Sequence, residues 1–253
     1  MMGKTVLITG GAGGIGLETA KAFLEEGANV ALVDISSEAL EKAKQLLNNP
    51  SNVLTIQADV TEESDVKSYV EKTVETYGSI DVFLNNAAIA GPAIPIKDLE
   101  KKQFETIMDI NVTGVFLGLK YVINQMEKQG YGSIINTASN AAYIGSAGMA
   151  GYIASKHAVA GITKTAALEV ADSGIRVNAV APAAIDTQML SGIQQNVSPD
   201  DPEGAGEAIK QGIPLGRFGT PKDVAEIVLF LASDRTSFVT GSLYNVDGGM
   251  QAD

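Results

Sequence analysis

Cysteine is absent from the 253 residues, and histidine occurs once, as His157. The first absence removes disulfides, thiolate nucleophiles and cysteine-ligated zinc or iron–sulfur sites. With a single histidine as well, no histidine-rich metal site is possible, and no metal is expected. Basic charge is also scarce. Lys and Arg total 18 against 30 Asp and Glu, a formal net charge of −12. No cluster of Lys and Arg forms the counterion-replacing patch that nucleic acid requires. The acidic balance instead favours a small or uncharged ligand. No continuous apolar run reaches the roughly 18 residues a bilayer span needs, and the stretch from Val224 to Ala232 is interrupted by Glu226. No basic-then-apolar leader precedes the strand-like Thr5-Val6-Leu7-Ile8-Thr9. The expectation is a cytoplasmic protein with no membrane partner.

What is present alternates. Hydrophobic residues make up 45% of the chain, and there are 27 glycines, enough for a sizeable core and many tight turns. Lys4–Thr9 reads as a strand, Gly10–Gly16 as a glycine loop and Leu17–Glu26 as a helix stopped by Gly27. Further strands are expected at Asn29–Val33, Val53–Ile56, Ile80–Leu84, Ser133–Thr137, Ile175–Val180 and Ser242–Val246. Between them lie helical patterns at Ser36–Leu47, Thr61–Tyr77, Lys102–Lys128, Gly151–Asp172 and Pro221–Ser233. Strand–helix alternation with nearly all-apolar strands predicts one α/β domain over residues 1–253, a doubly wound parallel sheet with helices on both faces. Only Thr187 to Gly219 breaks the rhythm, with Gly, Pro, Ser and Asp and weak helical spacing. We expect a substrate lid there.

The segment Gly10-Gly11-Ala12-Gly13-Gly14-Ile15-Gly16 fills the first strand-to-helix turn. A loop without side chains lets backbone approach a pyrophosphate, which the helix N-terminus then meets with free N–H groups and partial positive charge. Gly11, Gly13 and Gly16 match G-x-G-x-x-G, while Thr9, Gly10, Gly14 and Gly16 match T-G-x-x-x-G-x-G. Asp34 closes the second strand 18 residues after Gly16. A carboxylate there accepts hydrogen bonds from both adenosine ribose hydroxyls and repels a 2′-phosphate. No Arg or Lys occupies the loop or positions 35–37, so NAD(H) is expected rather than NADP(H). Ser36 suits the cap of the next helix, which frees Asp34 from that task.

Tyr152 and Lys156 stand four apart, one turn apart on the same helix face. An unperturbed phenol, with a pKa of about 10, is a poor base near neutrality. A neighbouring ammonium stabilises the phenolate, and the pair could then exchange a proton with an alcohol or carbonyl. His157 follows directly, but residue i+1 on a helix points about 100° away, so it is read as structural or interfacial. Asp200, Asp201 and Glu203 are read as a solvated acidic loop.

Thr9–Gly16, Tyr152 and Lys156, with Ser139 lying 13 residues before Tyr152 at a strand end, together resemble the short-chain dehydrogenase/reductase family. Further resemblances run in order. They are Asp59-Val60, Asn85-Asn86-Ala87-Ala88, Asn111, Ile175-Arg176-Val177-Asn178, Pro182 to Thr187, and Asn245-Val246-Asp247-Gly248-Gly249. The resemblance implies a Rossmann-like, hydride-transferring enzyme. Carried over, Tyr152 is the general acid/base, and Lys156 lowers its pKa and holds the nicotinamide ribose. Ser139 hydrogen-bonds the substrate oxygen, and Asn111 holds a water linking Lys156 to solvent. Cofactor contacts fall on Gly10 to Gly16, Asp34, Ile35, Asp59, Val60, Asn86, Ala87, Tyr152, Lys156, Pro182, Ile185 and Thr187. Ala88 and Ala183 replace glycines usual in the family, each adding a methyl near the expected nicotinamide.

Ala141–Ile144, Met149, Ala90–Pro92, Met189, Leu190 and Ile193 are expected to line the substrate pocket. These are small or apolar, with no Arg or Lys to grip an acid, which points to a neutral secondary alcohol or ketone of modest size, including cyclic ones. Two alternatives remain: a 3-oxoacyl-carrier-protein reductase, and a non-catalytic NAD-binding regulator. The resemblance also implies a homotetramer, with helices 102–128 and 151–172 at one interface.

Overall fold

The computed structural model describes residues 1–252. Seven strands form a parallel sheet: β1 (Thr5–Thr9), β2 (Asn29–Asp34), β3 (Val53–Gln57), β4 (Val82–Asn85), β5 (Gly132–Thr137), β6 (Ile175–Pro182) and β7 (Leu243–Val246). Their order is β3-β2-β1-β4-β5-β6-β7. The chain leaves β1 towards one edge, then returns to place β4 on its other side. Ligands of open parallel sheets bind at such a reversal, outside the carboxyl ends of the strands.

Successive strand side chains face opposite sides of a sheet, and both sides here are covered. Val6 and Ile8 pack with Ala20 and Phe23 of α1 (Gly14–Glu25), Leu40 of α2 (Ser37–Leu46), and Val224, Val228 and Leu231 of a helix near the C-terminus. Leu7 between them faces the other layer, with Val66 and Tyr69 of α3 (Glu63–Tyr77). That layer continues through α4 (Lys101–Met108), α5 (Gly114–Gln129) and α6 (Ala150–Glu169), which supply Ile107, Val115, Val122, Met126 and Val159 to the interior. This double cover is why the strands lack apolar–polar alternation.

Two expectations are corrected. The segment from Thr187 to Gly219 is not irregular: it folds as α7 (Gln188–Val197) and α8 (Pro202–Gln211). Asp201 caps α8 by accepting a hydrogen bond from the Gly204 amide, with Pro202 at its first turn. The segment ends where Arg217 pairs with Asp223 at 2.8 Å, at the start of α9 (Pro221–Ala232), which Thr220 and Asp223 close in a capping box. Secondly, the stretch Lys101–Gln129, which holds no unbroken apolar run, is long and apolar enough by length and composition to cross a bilayer but does not form the single helix expected there. Asp109 and Lys120 are among the charges that interrupt it. Its apolar face covers the sheet through Val115, Leu119, Val122 and Met126. Within it, Asp109–Thr113 form a π turn between α4 and α5.

Candidate active site

β1 delivers its last residue, Thr9, into a turn that begins with Gly10 in the left-handed region (φ 61°). A Cβ on Gly16 would drive into the Gly10 carbonyl oxygen, and one on Gly11 would lie 3.0 Å from the Leu32 side chain. Glycine at both positions therefore lets the loop fold back onto itself and onto β2. Beyond it, α1 starts at Gly13 with no capping side chain and no acidic residue in its first turn. Its first amides and the positive end of its dipole remain available to an anion. At the end of β2, Asp34 accepts hydrogen bonds from the Ala12 amide (3.3 Å) and the Ser36 amide (3.3 Å). Ser36, not Asp34, caps α2, accepting from the Ala39 amide at 3.1 Å.

A hydrogen-bonded chain runs from this loop to α6. The Thr9 hydroxyl accepts from the amides of Asn86 (2.9 Å) and Ala87 (3.2 Å). The Asn86 amide group donates to the Thr9 carbonyl (3.2 Å) and the Gly10 carbonyl (3.3 Å), and its oxygen accepts from the Thr137 hydroxyl at 3.1 Å. The Thr137 carbonyl in turn accepts from Lys156 Nζ at 2.8 Å. Lys156 is buried, and its desolvation pulls the ammonium down to about 8. Its Nζ lies 5.6 Å from the Tyr152 ring centre. The side chains are thus one turn apart on α6 and meet, as i,i+4 spacing requires.

Burial pushes the Tyr152 phenol above its ordinary value, and a hydrogen bond with Ser139 offsets only part of that rise. Ser139 leaves β5 in extended backbone and caps a short 3₁₀ turn, its hydroxyl accepting from the Ala141 amide at 3.2 Å. His157 points elsewhere: it is exposed, with its Nδ1 3.0 Å from the Ile153 carbonyl.

Asn111 lies in the π turn, fully buried. Its side-chain oxygen accepts from the Ile89 amide (2.9 Å), and its nitrogen donates to the Ile89 carbonyl (2.9 Å) and the Ser155 hydroxyl (3.0 Å). Ser155 donates to the Tyr152 carbonyl at 2.7 Å. The side chain therefore ties the loop after β4 to α6, with both its amide protons spent on that tie. Ile107 makes a second tie: its Cδ1 fills the space over Gly91, and a Cβ on Gly151 would come within 2.8 Å of it.

These elements enclose a cleft of about 840 Å³. Its walls include Gly10, Ala12, Gly13, Gly14, Ile15, Asp34, Asn86, Ala87, Ser139, Tyr152, Lys156, Pro182, Ile185 and Thr187. Gly11, Gly16, Ile35, Asp59, Val60 and Asn111 are not among them. Ile35 is 63% exposed. Asp59 accepts from the Thr61 amide (2.9 Å) and hydroxyl (2.7 Å), and Val60 fills the space over Gly114. Of the expected substrate pocket, Ala90, Gly91, Met189, Leu190 and Ile193 line the cleft, whereas Pro92, Ala141–Ile144 and Met149 do not. Sequence reading missed Thr137, Asn140, Gln188 and Asn196 on the walls. The first two flank Ser139 and could have been found from that adjacency; the last two lie on α7, which was not foreseen. The uncapped helix start, the side-chain-free loop and a carboxylate at the β2 end fit a dinucleotide extending along the cleft.

Comparison with known proteins agrees with this geometry. A family profile described as Enoyl-(Acyl carrier protein) reductase matches residues 10–251. Levodione reductase of Leifsonia aquatica is 42% identical over 252 residues, covering 98% of this chain and 94% of the relative. A crystal structure of a levodione reductase, 41% identical, superposes with a TM-score of 0.97, covering 100% and 99% of the two chains. The 3-oxoacyl-[acyl-carrier-protein] reductase FabG of Thermotoga maritima is 43% identical over 249 residues, covering 98% of each. The structure of NAD⁺-bound xylitol dehydrogenase matches with a TM-score of 0.94 at 36% identity, covering 98% and 99%.

Proposed function

The chain belongs to the short-chain dehydrogenase/reductase family of oxidoreductases, and from that premise we propose that it moves a hydride between NAD(H) and a neutral secondary alcohol or ketone. The observation that carries the reading is the convergence of Tyr152, Lys156 and Ser139 on the cleft that begins at the glycine loop.

The first turn of α1 and the loop amides would hold the pyrophosphate, and Asp34 the adenosine ribose hydroxyls. Bound NAD⁺ supplies the hydride acceptor, and NADH the donor. Ser139 orients the substrate oxygen by a hydrogen bond. Tyr152 removes the hydroxyl proton in oxidation and returns it in reduction. Lys156 would stabilise the phenolate and would hold the nicotinamide ribose hydroxyls of a bound cofactor. Small apolar groups from Ala90, Leu190 and Ile193 exclude water. Asp34 repels a 2′-phosphate, which supports NAD(H) over NADP(H).

The decisive experiment measures NAD⁺ reduction with a panel of neutral secondary alcohols, cyclohexanol among them, for wild type and Tyr152→Phe. Loss of roughly 100-fold or more in kcat/KM with NADH binding intact is expected; undiminished turnover by the variant refutes the mechanism. The 43% identity to FabG favours a second reading, an acyl-carrier-protein reductase. Turnover only of carrier-linked 3-oxoacyl groups, and of no free alcohol or ketone, would establish it.

We also propose that the chain assembles as a homotetramer through α5 and α6. Phe116 on α5 is 52% exposed and Leu168 on α6 is 82% exposed, apolar surface that a partner would cover. Light scattering that returns the mass of one chain refutes this.

A further inference from the structure

We propose that Asn140 is a positioning residue whose amide oxygen parks the Ser139 proton and competes with the substrate oxygen for it. The inference rests on the functional reading above, in which Ser139 must donate to the reacting oxygen.

A serine hydroxyl has one proton and two lone pairs. The Ala141 amide occupies one lone pair of Ser139, at 3.2 Å. The proton has two acceptors within reach, the Asn140 side-chain oxygen at 3.1 Å and the Pro182 carbonyl at 3.2 Å. While the proton lies on either, the oxygen can only accept from Tyr152; it cannot donate to a phenolate or to substrate. Before chemistry the proton must therefore swing towards the reacting oxygen. The Pro182 carbonyl is fixed at the end of β6. Asn140 is a side chain on the 3₁₀ turn that Ser139 itself caps, and it walls the same cleft. It is the movable acceptor of the two, and the one that substitution can remove.

Few other groups can account for a change at the phenol. Among the residues that wall the cleft, only Asp34, Tyr152 and Lys156 ionise. Asp34 is held at the β2 end by the Ala12 and Ser36 amides. Lys156 faces Tyr152 from its own helix, and neither the loop after β4 nor α7 contributes a charged wall residue.

The test uses two near-isosteric variants. Asn140→Leu deletes this acceptor, leaving only the Pro182 carbonyl at 3.2 Å to compete with the phenolate or the substrate for the Ser139 proton. Asn140→Asp replaces it with a stronger, charged acceptor. Tyrosinate absorbance is titrated for each in the presence and absence of the Tyr152→Phe change, so that the difference isolates Tyr152. The midpoint should move down in Asn140→Leu and up in Asn140→Asp, and the basic limb of cyclohexanol oxidation should move with it. In cyclohexanone reduction, kcat/KM should rise about three- to tenfold in Asn140→Leu, the worth of one competing neutral hydrogen bond, and fall in Asn140→Asp. NADH affinity and thermal midpoint serve as folding controls, with Asn140→Ala repeating the deletion should the leucine variant fail to fold. Midpoints that stay put, or that move the same way in both variants, overturn the proposal, as does a fall in kcat/KM on deletion. Absence of any turnover by wild type defeats the functional reading instead, and the absorbance titration, which needs no substrate, still decides for or against Asn140.

Discussion

Replacing Lys156 with methionine should stabilise the folded protein at neutral pH while it destroys turnover. The ammonium is buried, and its pKa falls from 10.5 to about 8. At about 1.4 kcal/mol per tenfold change in the proton equilibrium, that fall means folding pays roughly 3 kcal/mol to hold the charged form. Below pH 8 both states carry the proton, and the whole penalty is present. Between 8 and 10.5 the unfolded chain keeps the proton while the folded one has shed it, so the Lys156 penalty shrinks as pH rises; above 10.5 it is gone. Methionine keeps the alkyl stem and removes the charge, but it leaves the Thr137 carbonyl without its 2.8 Å donor, a cost of about 1–3 kcal/mol. The expected net gain at pH 7 is about 1 kcal/mol, with a thermal shift of roughly 2–4 °C for a chain of this size. Urea unfolding of both proteins without cofactor, at pH 7, 9 and 10.5, measures it. The sign of the trend is the sharper test: the variant's advantage must decrease by roughly 3 kcal/mol over that range. A gap independent of pH would show that Lys156 is not held charged against its burial, and the reasoning would fail.

Three further outcomes follow from the geometry. Gly16→Ala should cost roughly 1–3 kcal/mol, because the methyl meets the Gly10 carbonyl, and should weaken NADH binding more than tenfold by fluorescence titration. Asn111→Leu should cost about 3 kcal/mol in urea unfolding, since three buried hydrogen bonds to Ile89 and Ser155 are lost, and should lower kcat by loosening Tyr152. Asp34→Ala should reduce the NADH-to-NADPH ratio of kcat/KM at least tenfold, the value of about one charged hydrogen bond; an unchanged ratio would remove Asp34 from cofactor choice.

Much of this was legible in the chain. The strands announced themselves because a sheet covered on both faces needs uninterrupted apolar runs, and the turn after β1 because its backbone leaves no room for a Cβ at Gly11 or Gly16. Tyr152 and Lys156 became legible through their combination with the glycine loop and Ser139, since helical spacing alone puts many unrelated pairs on one face. The helices α7 and α8 were not: Gly192, Gly204, Gly206 and Gly212 blur the periodicity, and capping by Asp201 settles a helix that propensity does not. Nor does any residue pattern mark the π turn. The tie that the Asn111 side chain makes to Ile89 and Ser155 was not legible either, because spacing reveals which residue is polar but not which groups lie beside it. Asn140 went unremarked although it adjoins Ser139, since its importance comes from a shared proton.

Ile107 is not among the cleft's walls, yet it packs against Gly91, which is, and against Gly151, the neighbour of the wall residue Tyr152 at the start of α6. It works as a shim. A thicker side chain would lever the loop outward and tilt the tyrosine-bearing helix in one motion; a thinner one would let both settle inward. The width of the cleft at Gly91 and the placement of Tyr152 are therefore mechanically linked through one buried side chain.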